Sequence, residues 1–314
     1  MANLHKDENA YITIFLCHHT KNDFLLDEIV LNAMMHFDGY KETTLAKSDL
    51  LFFDTELDNV ARASLPKNIS PEVERRKKLE YQEEKEREII TSQNVSPKNN
   101  NEDIYSTTLR RSIRTVEVMG IIAKNRMSSL GLKRLEEILT EAINVNLRIL
   151  SSFFDLIKDK NEQQEIVKYI SGILEKIKKD GNPDVSNEKL EKEAKKIFWN
   201  LNFGVIIGLI FKTIKSIGSD KLKNIIEIIC DKQNTPVHLL IKHGVFMWYD
   251  KNINIEKITR DIKNVDFSLT ANEVLRYLIV SHCMLHNIDF KEKSRIQSNF
   301  GISSKALLKI EAKK

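Results

Sequence analysis

The stretch from Ser106 to Lys158, STTLRRSIRTVEVMGIIAKNRMSSLGLKRLEEILTEAINVNLRILSSFFDLIK, leaves this chain little choice of fold. Leu109, Ile113, Val116, Gly120 and Ala123 recur at spacings of three and four, one face of a helix. Ser128, Ser129 and Gly131 interrupt the pattern. A second stripe then takes Leu135, Ile138, Ala142, Val145, Ile149, Phe153 and Leu156. Neither helix hides its stripe alone, so the two are expected to pack together and against helices later in the chain.

The 314 residues include ten glycines and five prolines, too few for the many turns of a β-sandwich. The fold class expected is mainly α: a multi-helix domain over 105–314, after a small strand-plus-helix segment over 1–65 and a charged helix and linker over 66–104. A net charge of +4 from 49 basic and 45 acidic residues does not announce a nucleic-acid binder. Cys17, Cys230 and Cys283 are odd in number and far apart, which argues against a disulfide framework and for a reducing cytoplasm. MANLHKDENAY has no apolar h-region, so no signal peptide is expected.

Near the N-terminus, Tyr11 to Cys17 is short and apolar and reads as a buried strand, although no partner strand is evident and a helix is the other reading. Asn22 is placed to cap a helix from Asp23 to about Phe37, and a shorter helix is expected from Asp49 to Ala63. His18 and His19 come directly after the first apolar run. Adjacent side chains diverge and no third ligand is in sight, so they read as polar loop residues rather than a metal site. Ser70 to Glu88 is almost continuously charged, a solvated helix with Glu72–Arg76, Glu74–Lys78 and Glu83–Arg87 four apart. Thr91 to Asp103 is polar and reads as a linker.

After the central pair the helices continue. Glu162 to Lys179 places Ile166, Ile170, Ile173, Leu174 and Ile177 in register. The next helix carries Leu190, Ala194, Ile197, Phe198 and Leu201 into FGVIIGLIF, Phe203 to Phe211. That unbroken run is far below the ~20 residues of a membrane span, so a buried core helix is expected, with Gly204 and Gly208 letting a neighbour approach. Leu222, Ile225, Ile226 and Ile229 mark a short helix. Thr235-Pro236 opens another that reaches Tyr249. Thr270 to Glu273 has the pattern of a capping box.

Two constellations bear on chemistry. Arg276, His282, Cys283 and His286 lie on one predicted helix, with His282 and His286 four apart on one face. A zinc protease would place Glu directly after the first His, where Cys283 stands. His282, Cys283 and His286 would supply only part of a metal site. Arg276 and His282 also resemble the arginine–histidine pattern of HEPN-type ribonucleases, an all-helical family. The resemblance implies a His acting on the 2′-hydroxyl and an Arg on the phosphate, although Tyr277 stands where that family has a polar residue. The ordinary role for such a histidine is a packed, hydrogen-bonded place in the core. Second, Asp289 to Lys314 carries seven basic against three acidic residues. A helix to Phe300, a turn at Gly301 and a helix capped by Ser303 or Ser304 form a helix-turn-helix outline that would present Lys305 and Lys309 to nucleic acid. A basic structural cap is the alternative.

The segment LRRSIRTVEVMGIIAKNRMSSLGLKRLEEILTEAINVNLRIL, Leu109 to Leu150, resembles the helical part C-terminal to the nucleotide-binding domain of bacterial STAND NTPases. Phe15 to Leu45 resembles the junction where that domain gives way to its helices. Together they cover roughly a quarter of the chain. The resemblance implies a cytoplasmic switch of bacterial antiphage defence that works by oligomerisation and by contact with an effector. This chain departs from the family in having no GxxxxGK[ST] loop, so no nucleotide cofactor is expected to bind it alone. The expectation is therefore a non-catalytic regulatory or sensor module, without membrane contact, partnered by a P-loop NTPase or effector portion and able to form a homo-oligomer.

Overall fold

The computed structural model describes residues 4, 6–20, 23–66, 70–77, 79–80, 104–179 and 186–305. It is mainly α. Three short helices come first: α1 (Asp7–His19), α2 (Asp23–Met34) and α3 (Lys47–Asp54). A 3-10 turn, Leu57–Asn59, leads to strand β1, Ser64–Pro66. Residues 71–77 form α4, with 79–80 also helical. The long helices are α5 (Ile104–Arg126), α6 (Leu132–Lys158), α7 (Lys160–Lys179) and α8 (Asn187–Ile217). Five shorter ones complete the fold: α9 (Lys223–Gln233), α10 (Pro236–Tyr249), α11 (Ile255–Lys263), α12 (Leu269–Leu285) and α13 (Phe290–Phe300). Strand β2, Ser303–Lys305, pairs in parallel with β1.

α5 and α6 pack against each other, and α8 lies across both. Val116, Ala123, Leu135, Ile138, Ala142, Val145 and Ile149 are buried, as the two stripes require. The second stripe ends differently from expectation: Leu156 is exposed and Ile157 takes the inner position. The α5–α8 crossing is close because Gly120 presents bare backbone; a Cβ there would fall on the Ser216 carbonyl oxygen. Gly244 of α10 likewise makes room for the Ile214 side chain of α8.

The expected strand from Tyr11 to Cys17 is part of α1. Ala10 and Cys17 are its buried residues, two turns apart on one face, while Tyr11, Ile12, Phe15 and Leu16 are exposed. A helix bonds its own backbone within the segment, whereas a lone strand would leave those groups open. Asn22 and Thr91 to Asp103 lie outside the described residues. In α4, Glu74 pairs with Lys77 at 2.9 Å and Arg76 with Glu80 at 3.9 Å; the side chains of Lys78, Glu83 and Arg87 lie outside the described residues.

Arg148 of α6 anchors the N-terminal helices. Its Nε donates to the His36 carbonyl and its Nη2 to the Ala33 carbonyl, each at 3.0 Å. The Ala33 carbonyl lies in the last turn of α2, where it also accepts from the His36 amide at 3.0 Å, and the His36 carbonyl lies just beyond that turn. The same guanidinium meets Glu141 at 2.7 Å and Glu42 at 3.0 Å.

Three further expectations change. In α7, Ile170 and Leu174 are half-buried, but Ile166, Ile173 and Ile177 face outward. In α8, Ile197 and Leu201 are exposed, and a Cβ at Gly204 or Gly208 would meet nothing within 4 Å. By length and composition α8 passes for a membrane-crossing helix, with 44% of its most apolar window buried. Its inner residues, including Phe198, Ile206 and Ile210, belong to the common core. Finally, Ser303–Lys305 is strand rather than the start of a second C-terminal helix, because it closes hydrogen bonds with Ser64–Pro66. α13 does end at Gly301, whose φ of 62° is the left-handed turn a glycine favours.

Candidate functional site

α12 carries the residues singled out for chemistry. Its N-cap is Ser268, whose side chain accepts from the Ala271 amide at 2.9 Å. Asp54 of α3 accepts from the Leu269 and Thr270 amides. The expected capping box therefore does not form, since the helix begins earlier and other groups take the free donors. Glu273 is instead wholly buried. Its Oε1 accepts from the Ala63 amide at 2.7 Å, and its Oε2 from Arg276 Nη1 at 2.8 Å, with Arg62 at 3.5 Å. Arg276 Nε donates to the Phe300 carbonyl at 2.8 Å, closing the end of α13.

His282 lies more than one and a half turns further on. Six positions at about 100° each put it about 120° around the helix from Arg276. Its Nδ1 meets the Met247 carbonyl at 2.7 Å. A carbonyl only accepts, so Nδ1 carries the proton and Nε2 is the lone-pair nitrogen. Nε2 is buried without a hydrogen-bonding partner, and His282 lines a small cavity of about 10 Å³ with Phe211, Gly244 and Trp248. Burial holds His282 below the usual histidine range, so it is neutral. The His286 ring lies tilted against it at 4.5 Å between centroids, and its pKa is also pulled down, first by burial and then by His282. Burial pushes the Cys283 thiol up to about 12, away from the thiolate that binds metals.

α12 thus brings His282 and His286 together and keeps Arg276 apart, committed to Glu273 and Phe300. Tyr277 donates to the Ala61 carbonyl at 3.0 Å. His18 and His19 sit at the end of α1 with rings 5.1 Å apart. Among the described residues no group of three or more His, Cys, Asp or Glu is arranged to hold a metal ion. Lys305 is the last residue of β2, and Lys309 lies outside the described residues.

A charged cluster with little trace in the sequence lies where α9, α10 and α11 meet. Lys242, buried on α10, reaches Asp231 and Asp261 at 2.6 Å each. Burial would lower the Lys242 pKa, but the two carboxylates more than offset it. Burial would raise Asp261, but Lys242 outweighs it and holds the carboxyl below the usual carboxylate range. His243 Nε2 stands 3.1 Å from the same Asp261 oxygen, and burial takes His243 down to about 4. Lys257, Arg260 and Glu227 rim the adjoining cleft of about 510 Å³. At neutral pH the two carboxylates keep the lysine protonated and burial keeps the histidine neutral. The arrangement ties three helices together. The only signal in sequence is a Lys-His pair inside the apolar run VHLLIKHGVF; the partners lie 11 and 19 residues away.

A groove of about 880 Å³ lies between α7 and α8. Val167, Leu190 and Phe198 are among its apolar lining, and Lys160, Glu191 and Lys195 are among the charged. Lys195 is paired with Glu56 at 2.8 Å. The chain matches no protein-family model, no curated protein and no solved structure.

Proposed function

We infer that this chain is a non-catalytic helical module that regulates a larger assembly through protein contacts. The observation that carries the reading is the number of large apolar side chains left exposed on α1, α2 and α7. Tyr11 and Phe15 of α1 are exposed, as are Phe24 and Leu31 of α2 and Met35 just beyond it; on α7 the exposed set is Ile166, Tyr169, Ile173 and Ile177. Scattered apolar residues on a surface need no explanation, but ordered rows of large ones mark places where another chain packs. Side chains able to do chemistry are meanwhile committed inside the fold, Arg276 to Glu273 and Lys242 to its aspartates.

The resemblance of Leu109–Leu150 to the helical part of STAND NTPases supplies the setting. The partner proposed is a P-loop NTPase or effector portion of a bacterial, cytoplasmic defence switch, and the long apolar helices would pass on a packing change. The test is co-expression with a P-loop NTPase encoded beside this chain, followed by light scattering on the purified material. A stoichiometric complex that Phe15→Glu with Leu31→Glu abolishes supports the reading. RNA cleavage by the purified protein that His282→Ala removes would overturn it in favour of a ribonuclease.

A further inference from the structure

We propose that α7 is a self-docking helix: two copies of this chain associate through antiparallel pairing of their α7 outer faces. The proposal names one partner within the protein-contact reading above and rests on it.

α7 packs its inner face on α8, and none of the α7 residues whose burial is described is buried. The outward stripe runs Glu162, Ile166, Tyr169, Ile173, Lys176 and Ile177, at spacings of four, three, four, three and one. Among the described residues nothing packs on this heptad seam. Tyr169 is 71% exposed and Ile177 64%, more than a solvated helix face has reason to present. The stripe spans about 22 Å at 1.5 Å per residue.

Its polarity selects the partner. Glu162 and Glu165 are at the N-terminal end, Lys176 at the C-terminal end, and all three are exposed. A second copy laid antiparallel sets each acidic end beside the other's basic end, with a two-fold axis near Tyr169. Ile166 then meets Ile173 of the other copy on both sides of the axis. A parallel arrangement would put like charges together at each end, which costs rather than stabilises. Interfaces of this kind are isologous, so one helix supplies both halves.

Analytical ultracentrifugation over a range of concentrations tests the proposal. The full chain is expected to be a dimer that Lys176→Glu, or Glu162→Lys with Glu165→Lys, converts to monomer. Mixing the two variants is expected to restore a dimer, since each then offers the charge the other lacks. Circular dichroism should stay unchanged, because the substituted side chains are exposed. With the native cysteines buried, Tyr169→Cys should cross-link to itself under mild oxidation. A chain that is monomeric at every concentration overturns the proposal. So does a dimer that ignores both charge variants, an outcome that places self-association elsewhere and leaves the protein-contact reading standing. Loss of the NTPase complex with the α7 dimer intact would sink that broader reading instead.

Discussion

Glu273 Oε2 accepts a hydrogen bond from Arg276 Nη1 at 2.8 Å, in a place where the glutamate side chain has no exposure at all. The pair joins α12 to the start of β1 through the Ala63 amide and to α13 through the Phe300 carbonyl. Removing the carboxylate leaves a buried amide without its acceptor and Arg276 without its counter-charge, while Arg62 keeps Asp58 at 3.6 Å. Glu273→Ala is expected to cost about 3 kcal/mol, measured by urea unfolding. A loss under about 1 kcal/mol would mean that the network is not a structural joint.

Arg148 makes a similar prediction at the other end of the molecule. Its guanidinium reaches two carbonyls and two carboxylates, and its side chain is 7% exposed. Arg148→Ala strands the Glu141 carboxylate and should cost about 3–5 kcal/mol. Arg148→Lys keeps the charge without the planar fork, so most of that loss should remain. Proteolysis in the α2–α3 loop is expected to speed up in both variants.

Histidines set the response to acid. His36, His238 and His243 are each depressed to about 4 by burial, helped by Arg148 at His36 and by Lys242 at His243. An unfolded histidine titrates near 6.5, so below that pH the unfolded chain binds protons that the folded chain refuses. Stability should therefore be full above about pH 6.5 and fall towards about pH 4, by about 3 kcal/mol per histidine. Unfolding free energies across this window should show the slope, and His243→Gln should reduce it by one proton. A flat profile would contradict the burial of these rings.

Gly120 tests the helix crossing. Alanine normally favours a helix over glycine by about 1 kcal/mol. Here the added Cβ falls on the Ser216 backbone, so α5 and α8 must separate. Gly120→Ala should lower stability by about 1–3 kcal/mol, with a matching drop in Tm.

Two isoleucines on successive helices should behave in opposite ways. Ile143 of α6 has no exposure, while Ile177 of α7 is 64% exposed. Ile143→Ala should cost about 2–5 kcal/mol. Ile177→Ala, measured on the monomer, should stay within about 0.5 kcal/mol.

The helices were legible because their signal is local. The stripes of α5 and α6, the proline that opens α10 and the glycine that ends α13 act through bonds spanning three or four residues, and those spacings are written in the chain. Residue type misled at both ends: Tyr11 to Cys17 is rich in strand-forming side chains yet took the other reading, a helix, and Ser303–Lys305, read as the capped start of a helix, is a strand paired with Ser64–Pro66.

Which face of a helix meets the core is a different matter. Period alone offered Ile166, Ile170, Ile173, Leu174 and Ile177 as core residues, and tertiary packing half-covered Ile170 and Leu174, added Val167 and left the other three exposed. Hydrogen-bond partners were equally hidden, since Glu273 accepts from the Ala63 amide 210 residues away. The sequence by itself determined that this chain folds as helices with more apolar surface than any one of them could bury. Only the tertiary structure decided which stripes were spent on the core and which were left facing water, because burial depends on neighbours that the chain brings in from far along its length.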